Sequence, residues 1–217
     1  VDAQLTNGAD VTVIPSPGAP PLRGAPASLA AVPGVATVES IQHRFAYIGA
    51  DLQDLYGVNP ATVTRATPPL QDDYFRGGKA ADLMRALLEH PDAILVSAET
   101  VHDFQLQLGD PLTLRLVDAK THQPKAVVFR YVGVVTEFPT APKDSFLVAN
   151  AEYVAKQTGS GAVGAYLVST AGQDSGAVAA RIRDVVGTSA AVTDIAAVRD
   201  SVGSSLTSVD LAGAHEH

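Results

Sequence analysis

Residues Ala126–Val135, Ala-Val-Val-Phe-Arg-Tyr-Val-Gly-Val-Val, are nearly all β-branched or aromatic and apolar on both faces. A strand of that composition is covered on both sides, so this run predicts the middle of a packed β unit. The unit extends from Ala93 to Val148. Ile94-Leu95-Val96 predicts a strand before it, followed by a short helical piece carrying Val101, Phe104 and Leu108. After the Gly109-Asp110 turn, Leu112, Leu114 and Leu116 alternate with polar residues as in a half-buried strand. Phe138-Pro139 stops the central run, and Asp144–Val148 restarts as another strand.

The flanks read as two similar halves. Asp10–Ile14 predicts a strand broken by Pro15-Ser16-Pro17-Gly18. A brief helix with Leu29, Ala30 and Val32 closes at Pro33-Gly34, and an extended run follows from Val35 to Ile48. In that run Ile41, His43, Phe45 and Tyr47 share one face. Near the other end, Gly164–Ser169 predicts a strand, and Asp174 caps a helix over 175–186 that ends at Gly187. A strand over 190–193 and a final amphipathic helix over 196–211 complete this half. Placing Gly34 on Gly187 sets Leu29 on Ile182 and Val32 on Val185. The order βαβ…βαβ predicts an α+β fold, a split ferredoxin-like sandwich with 51–160 inserted as a second, mixed α/β subdomain. Within the insertion, Asp51–Pro69 is turn-rich and is expected to wander over the surface. A helix over 80–90 and another over 151–158, capped by Asn150 and stopped by Gly159, are expected there too.

Composition removes several functions. Nearly half of the 217 residues are hydrophobic and 18% charged, which is globular rather than disordered. A net charge of -8 with no Lys/Arg run argues against nucleic acid as a partner. With no cysteine there is no thiol catalysis, disulfide or thiolate metal site, a usage that suits an oxidising exterior. No apolar run reaches the length of a membrane span, and Val1-Asp2-Ala3-Gln4 is no signal peptide. The ends read as those of an excised piece, with 214–217 a cloning scar.

Catalytic and metal motifs are also missing from the sequence. Gly77-Gly78-Lys79-Ala80 lacks the leading Gly and the hydroxyl residue of a phosphate loop. The histidines, His43, His90, His102, His122, His215 and His217, form no pair spaced for one helical face, and no cofactor is expected. His43 reads as a satisfied strand residue. Ser97 follows an apolar strand, with Glu99 and His102 close by, but no G-x-S-x-G elbow surrounds it, and Ser97 with Thr100 reads as capping chemistry. Asp72-Asp73 are adjacent and point apart, so they read as solvated loop. The candidate partner-binding residues are the aromatic and Pro-rich loop tips: Tyr74, Phe75 and Arg76, with Phe138, Pro139, Pro142 and Lys143.

Four stretches together resemble the extracytoplasmic core domain of FtsX/MacB-type ABC transporter permeases. They are Gly8–Val13, Leu55-Tyr56-Gly57-Val58-Asn59-Pro60, Ile94-Leu95-Val96-Ser97 through Leu108–Leu114, and Ser204–Leu211. The second departs from the family's step by Asn for Asp. The resemblance implies a membrane-proximal, porter-like subdomain (1–50 plus 161–213) and an inserted Sabre-like subdomain (51–160). It implies placement outside the cell membrane and a cognate ABC ATPase acting through membrane segments. It further implies a possible second permease copy, and an extracytoplasmic protein or exported substrate as partner, without enzymatic activity in the domain itself. The candidates are a lipoprotein, a cell-wall hydrolase regulator, an efflux adaptor or a peptide. Two other readings stay open from the residues alone: a soluble secreted protein binding a ligand in the inter-subdomain cleft, and a hydrolase with a dispersed site.

Overall fold

The computed structural model describes residues 10–198, apart from 66–69, 140 and 143. The first nine residues, the expected helix beyond Val198 and the 214–217 tail therefore lie outside the described residues.

Two β–α–β units interleave at one end of the sheet. The first is β1 (Val11–Pro15), the single-turn α1 (Ala27–Ala30) and β2 (Thr37–Ile48); the second is β9 (Val163–Ser169), α5 (Ser175–Val186) and β10 (Ala190–Asp194). Their strands lie in the order β10-β1-β9-β2 with each neighbouring pair antiparallel. Both helices lie on one face of these strands. Leu29 of α1 and Val178, Ala179 and Ile182 of α5 share a core with Val11, Val13, Tyr166 and Val168. The Asp174 side chain accepts hydrogen bonds from the N–H groups of Gly176 and Ala177, which fixes the start of α5 as its sequence predicts.

The remaining strands are β3 (Asp51–Val58), β4 (Phe75–Arg76), β5 (Ala93–Ser97), β6 (Pro111–Val117), β7 (Pro124–Val135) and β8 (Phe146–Asn150). They continue the same sheet in the order β2-β3-β8-β5-β7-β4, and β6 pairs with both β7 and β2. The pairings β2-β3-β8-β5-β7-β6 thus return to β2 and close a ring. Inward side chains of that ring, among them Ile48, Leu55, Ile94, Leu114, Phe129 and Leu147, form one core with Val154 of α4 (Ala151–Thr158). A second core lies on the outer side of β3, β8 and β5, where α2 (Ala80–Glu89) lays down Leu83, Met84 and Leu87. This two-sided cover explains the fully buried pattern of β5 and β8. Among the described residues no helix is long and apolar enough to cross a membrane.

Three sequence expectations change. Asp51–Val58 is not a surface excursion but the strand joining both parts of the sheet: it pairs antiparallel with β2 and parallel with β8. Its pattern was masked because a polar residue, Gln53, points into the core, where Thr100 and Asp51 satisfy its amide. β7 is covered on both faces only toward its end; its first half alternates, leaving Val128 exposed. The helical piece after β5 ends early. α3 (Ala98–Asp103) stops before Gln105, whose φ is 50°, and Phe104 and Leu108 stay exposed.

β2 is the shared member. It pairs with β9 over Thr37–Gln42 and with β3 over Gln42–Ile48, with a register shift between Ile41 and Gln42 on the β9 side. At that point β9 approaches so closely that a Cβ on Gly164 would sit 2.4 Å from the Cβ of His43. Only glycine fits there.

Candidate functional site

The two stretches singled out as loop tips do come together. Phe75 of β4 pairs with Val135 at the end of β7. Thr136 donates its N–H to the Tyr74 carbonyl at 2.6 Å, and its hydroxyl donates to the same oxygen at 3.1 Å. Their aromatic rings, however, point inward. Tyr74, Phe75, Phe138 and Pro139 are buried, and Phe138 is fully enclosed with its ring 6.1 Å from that of Tyr56. The reading of these aromatics as an exposed partner surface is corrected: they close the outer core beneath α2. Arg76 and Pro142 remain exposed, and Lys143 lies outside the described residues. Burial, with Glu137 and Asp73 nearby, raises the pKa of the Tyr74 phenol, so it stays neutral. Asp72 is a helix-start ligand: it accepts from the N–H of Ala80 at 3.0 Å, while Asp82 accepts from the N–H of Lys79 at 3.2 Å.

Ser97 is not arranged as a nucleophile. It is buried at the end of β5, its Oγ lies 2.9 Å from Thr100 Oγ1 and accepts the N–H of Phe146 at 3.2 Å. Thr100 in turn bonds Gln53, while His102 lies exposed on α3. The Ser97–Thr100 contact is therefore a polar lock between β3, β5 and β8, and it replaces the simple helix cap expected there. His43 is satisfied as expected. Its Nε2 is 2.6 Å from Asp54 Oδ1 and its ring stacks on Tyr56 with centroids 5.0 Å apart. Among the described residues no group of three or more His, Asp or Glu is placed to hold a metal ion.

At the junction of the two parts, side chains of β2 are tied to α4 and the residues after it. Gln42 and Arg44 reach from β2 to opposite ends of α4; Gln42 Nε2 donates to the carbonyl of its first residue, Ala151, at 3.2 Å, and Arg44 donates to the Ser160 carbonyl just beyond its end. Burial lowers the pKa of the Arg44 guanidinium. Gln42 Oε1 and Arg44 Nε are buried there and find no partner among the described residues. A groove of about 300 Å³ lies elsewhere, between the proline loop of the first β–α–β unit (Pro20, Pro21, Arg23) and the end of α5 (Val185) in the second.

The exposed aromatics of the described fold are instead Phe45 and Tyr47 on β2, with Phe104. Their shared face was legible from alternation, but which side of the sheet would be covered was not.

Strand order, a helix-covered outer core and a closed inner ring define a mixed α/β domain. No family model and no curated protein sequence matches the chain. Among solved structures, the periplasmic region of MacB from Actinobacillus actinomycetemcomitans is similar with a TM-score of 0.51 and 12% identity, covering 93% of this chain and 95% of that one. The extracellular domain of the noncanonic ABC-type transporter YknZ from Gram-positive bacteria gives a TM-score of 0.47 and 18% identity over 86% and 100% of the two chains. The fold is that of the MacB periplasmic region, as the sequence motifs implied.

Proposed function

We propose that the chain is the extracytoplasmic domain of a bacterial ABC transporter permease, acting without catalysis of its own. The observation that carries this reading is likeness of fold to the MacB periplasmic region over nearly the full length of both chains. Within this reading, β10-β1-β9-β2 with α1 and α5 is the porter-like part near the membrane. The strands from β3 to β8, with α2 and α4, form the Sabre-like part beyond it.

Membrane segments preceding β1 and following β10 would receive the motion driven by a cognate ATPase in the cytoplasm. A tilt between them would pass through the packed sheet as a rigid-body movement and be enlarged at the far end, where an exported substrate or extracytoplasmic protein is met. The hydrogen bonds that tie Gln42 and Arg44 to the two ends of α4 across the junction disfavour a secreted ligand-binding protein that opens an inter-subdomain cleft. The test is expression with the native flanking sequence, followed by fractionation. Recovery in carbonate-washed membranes, with the ATPase co-purifying in detergent, supports the proposal. Release as a soluble secreted product contradicts it.

A further inference from the structure

On the outer side of the ring, four strands present an uncovered apolar face. Tyr47 of β2 lies opposite Leu52 of β3 on one side and Arg115 of β6 on the other. Across β6 and β7, Arg115 is opposite Ala126, Thr113 opposite Val128, and Val117 opposite Pro124. Directly opposed residues share a face, and so do residues two apart on a strand. Continuing the β2–β6 register by two residues brings Phe45 beside Val117. Phe45, Tyr47, Leu52, Val117 and Val128 therefore form one field, each between 41% and 59% exposed. The inward residues of the same strands already fill the core, so the fold does not need these side chains.

The charge on this face is opposite to that of the chain. Arg115 lies over the Tyr47 ring, 5.2 Å from its centroid, and donates to the Gly49 carbonyl at 2.6 Å. Arg130, two residues beyond Val128, donates to the Gly109 carbonyl at 2.7 Å. Neither forms an ion pair among the described residues, and Asp54, opposite Phe45 on β3, is engaged by His43. Two unneutralised guanidiniums thus flank an apolar strip on a chain of net charge -8.

The size of the face sets the kind of occupant. Four strands about 4.8 Å apart and about 20 Å long give about 300 Å². That is well under the roughly 800 Å² per partner of a standing complex. A symmetric second copy would also bring four arginines, Arg115 and Arg130 of each chain, into one small interface without added carboxylates. We propose that this face docks a short, acidic amphipathic segment of a partner protein. Its apolar side chains rest on Phe45, Tyr47 and Val128, and its carboxylates engage Arg115 and Arg130. The inference rests on the permease reading for its biological role, but the binding itself does not depend on it.

The probe is a labelled helical peptide of about five turns, with a leucine stripe flanked by glutamates, titrated into the full chain. The expected result is saturable binding with a Kd of about 10–100 μM and amide shifts centred on Tyr47, Arg115 and Val128. The double variant Arg115→Glu/Arg130→Glu should bind at least about tenfold more weakly while still melting cooperatively, as should Val128→Ser. A lysine-flanked version of the peptide should not bind. Equal binding of both peptides, or of the double variant, overturns the proposal. So does competition by anionic vesicles that is lost in the double variant, which assigns the face to lipid. A concentration-dependent dimer abolished by Arg115→Glu likewise assigns it to self-association. A soluble, secreted product with peptide binding intact would overturn the permease reading and leave this surface standing.

Discussion

Ile195 donates its backbone N–H to the carbonyl of Asp10 at 2.9 Å, one step beyond the last registered pair of β1 and β10, Val11 with Asp194. Asp10 also holds β9 in place: its Oδ2 accepts the Thr170 N–H at 2.9 Å and the Thr170 hydroxyl at 3.2 Å. The chain therefore enters and leaves the described fold at one point. A movement imposed there acts on adjacent strands of one sheet, which the mechanical reading requires.

Replacing Asp10 with Ala strands the N–H of buried Thr170, whose hydroxyl keeps the Gln173 carbonyl at 3.3 Å. The expected loss is about 1–3 kcal/mol in urea denaturation. Amide exchange at Ile195 and Thr170 should accelerate more than at Leu95 in the far core. Uniform acceleration would mean that Asp10 acts only on global stability.

Phe138→Ala is expected to cost about 3–5 kcal/mol, because the ring is fully enclosed and packs on Tyr56. Arg76→Ala, on the neighbouring exposed position, should stay within about 0.5 kcal/mol. Equal, small effects at both would restore Phe138 to the surface.

The helix starts at Asn150 and Asp174 were legible because a cap is a local contract between one side chain and the next turn. Gly159 stopping α4 with φ 75° belongs to the same class. Burial of Phe138 and Tyr74 was not legible. Both sit beside prolines or charged residues that read as surface, and α2, which covers them, is decided by distant pairing. The central place of β3 was hidden for a related reason. Gln53 breaks the apolar alternation, and its burial is made acceptable by Asp51 together with Thr100, 47 residues away. The pair Phe45 and Tyr47 shows the complementary limit. Their common face followed from period two, yet Ile41 on the same face is buried while they are exposed, because different elements lie over the two ends of β2.

Asn150 does more than cap. Its Oδ1 accepts from the N–H groups of Glu152 and Tyr153, and its Nδ2 donates to the Leu87 carbonyl of α2 at 3.0 Å. Asn150→Ala should lose about 2–4 kcal/mol, a cap plus a buried carbonyl left without its donor. Asn150→Asp keeps the cap and loses the donor, so it should fall between wild type and Ala in chemical denaturation. A result as severe as Ala would show that the Leu87 bond, not the cap, dominates.

Glu39 supplies a pH signature. Burial raises its carboxyl pKa, and the hydrogen bond from Thr62 at 2.9 Å only partly offsets this. A carboxyl whose pKa is higher folded than unfolded binds its proton more tightly in the native state. Its contribution to stability is most favourable below the unfolded value of about 4.3 and declines as pH rises through the folded value. Glu39→Gln should therefore raise the melting temperature at pH 7, and the gain should shrink as pH falls toward about 4. A gain independent of pH would place the effect in packing.

The central claim, that this domain stands outside a membrane that anchors it, is tested most directly by labelling in intact cells. The chain contains no cysteine, so Arg76→Cys on exposed β4 offers a single reactive thiol within the domain. With the native flanking sequence in place, a membrane-impermeant maleimide should label it equally in intact and lysed cells, and the labelled band should sediment with membranes. Labelling that appears only after lysis, or a labelled band that stays in the soluble fraction, would contradict the account.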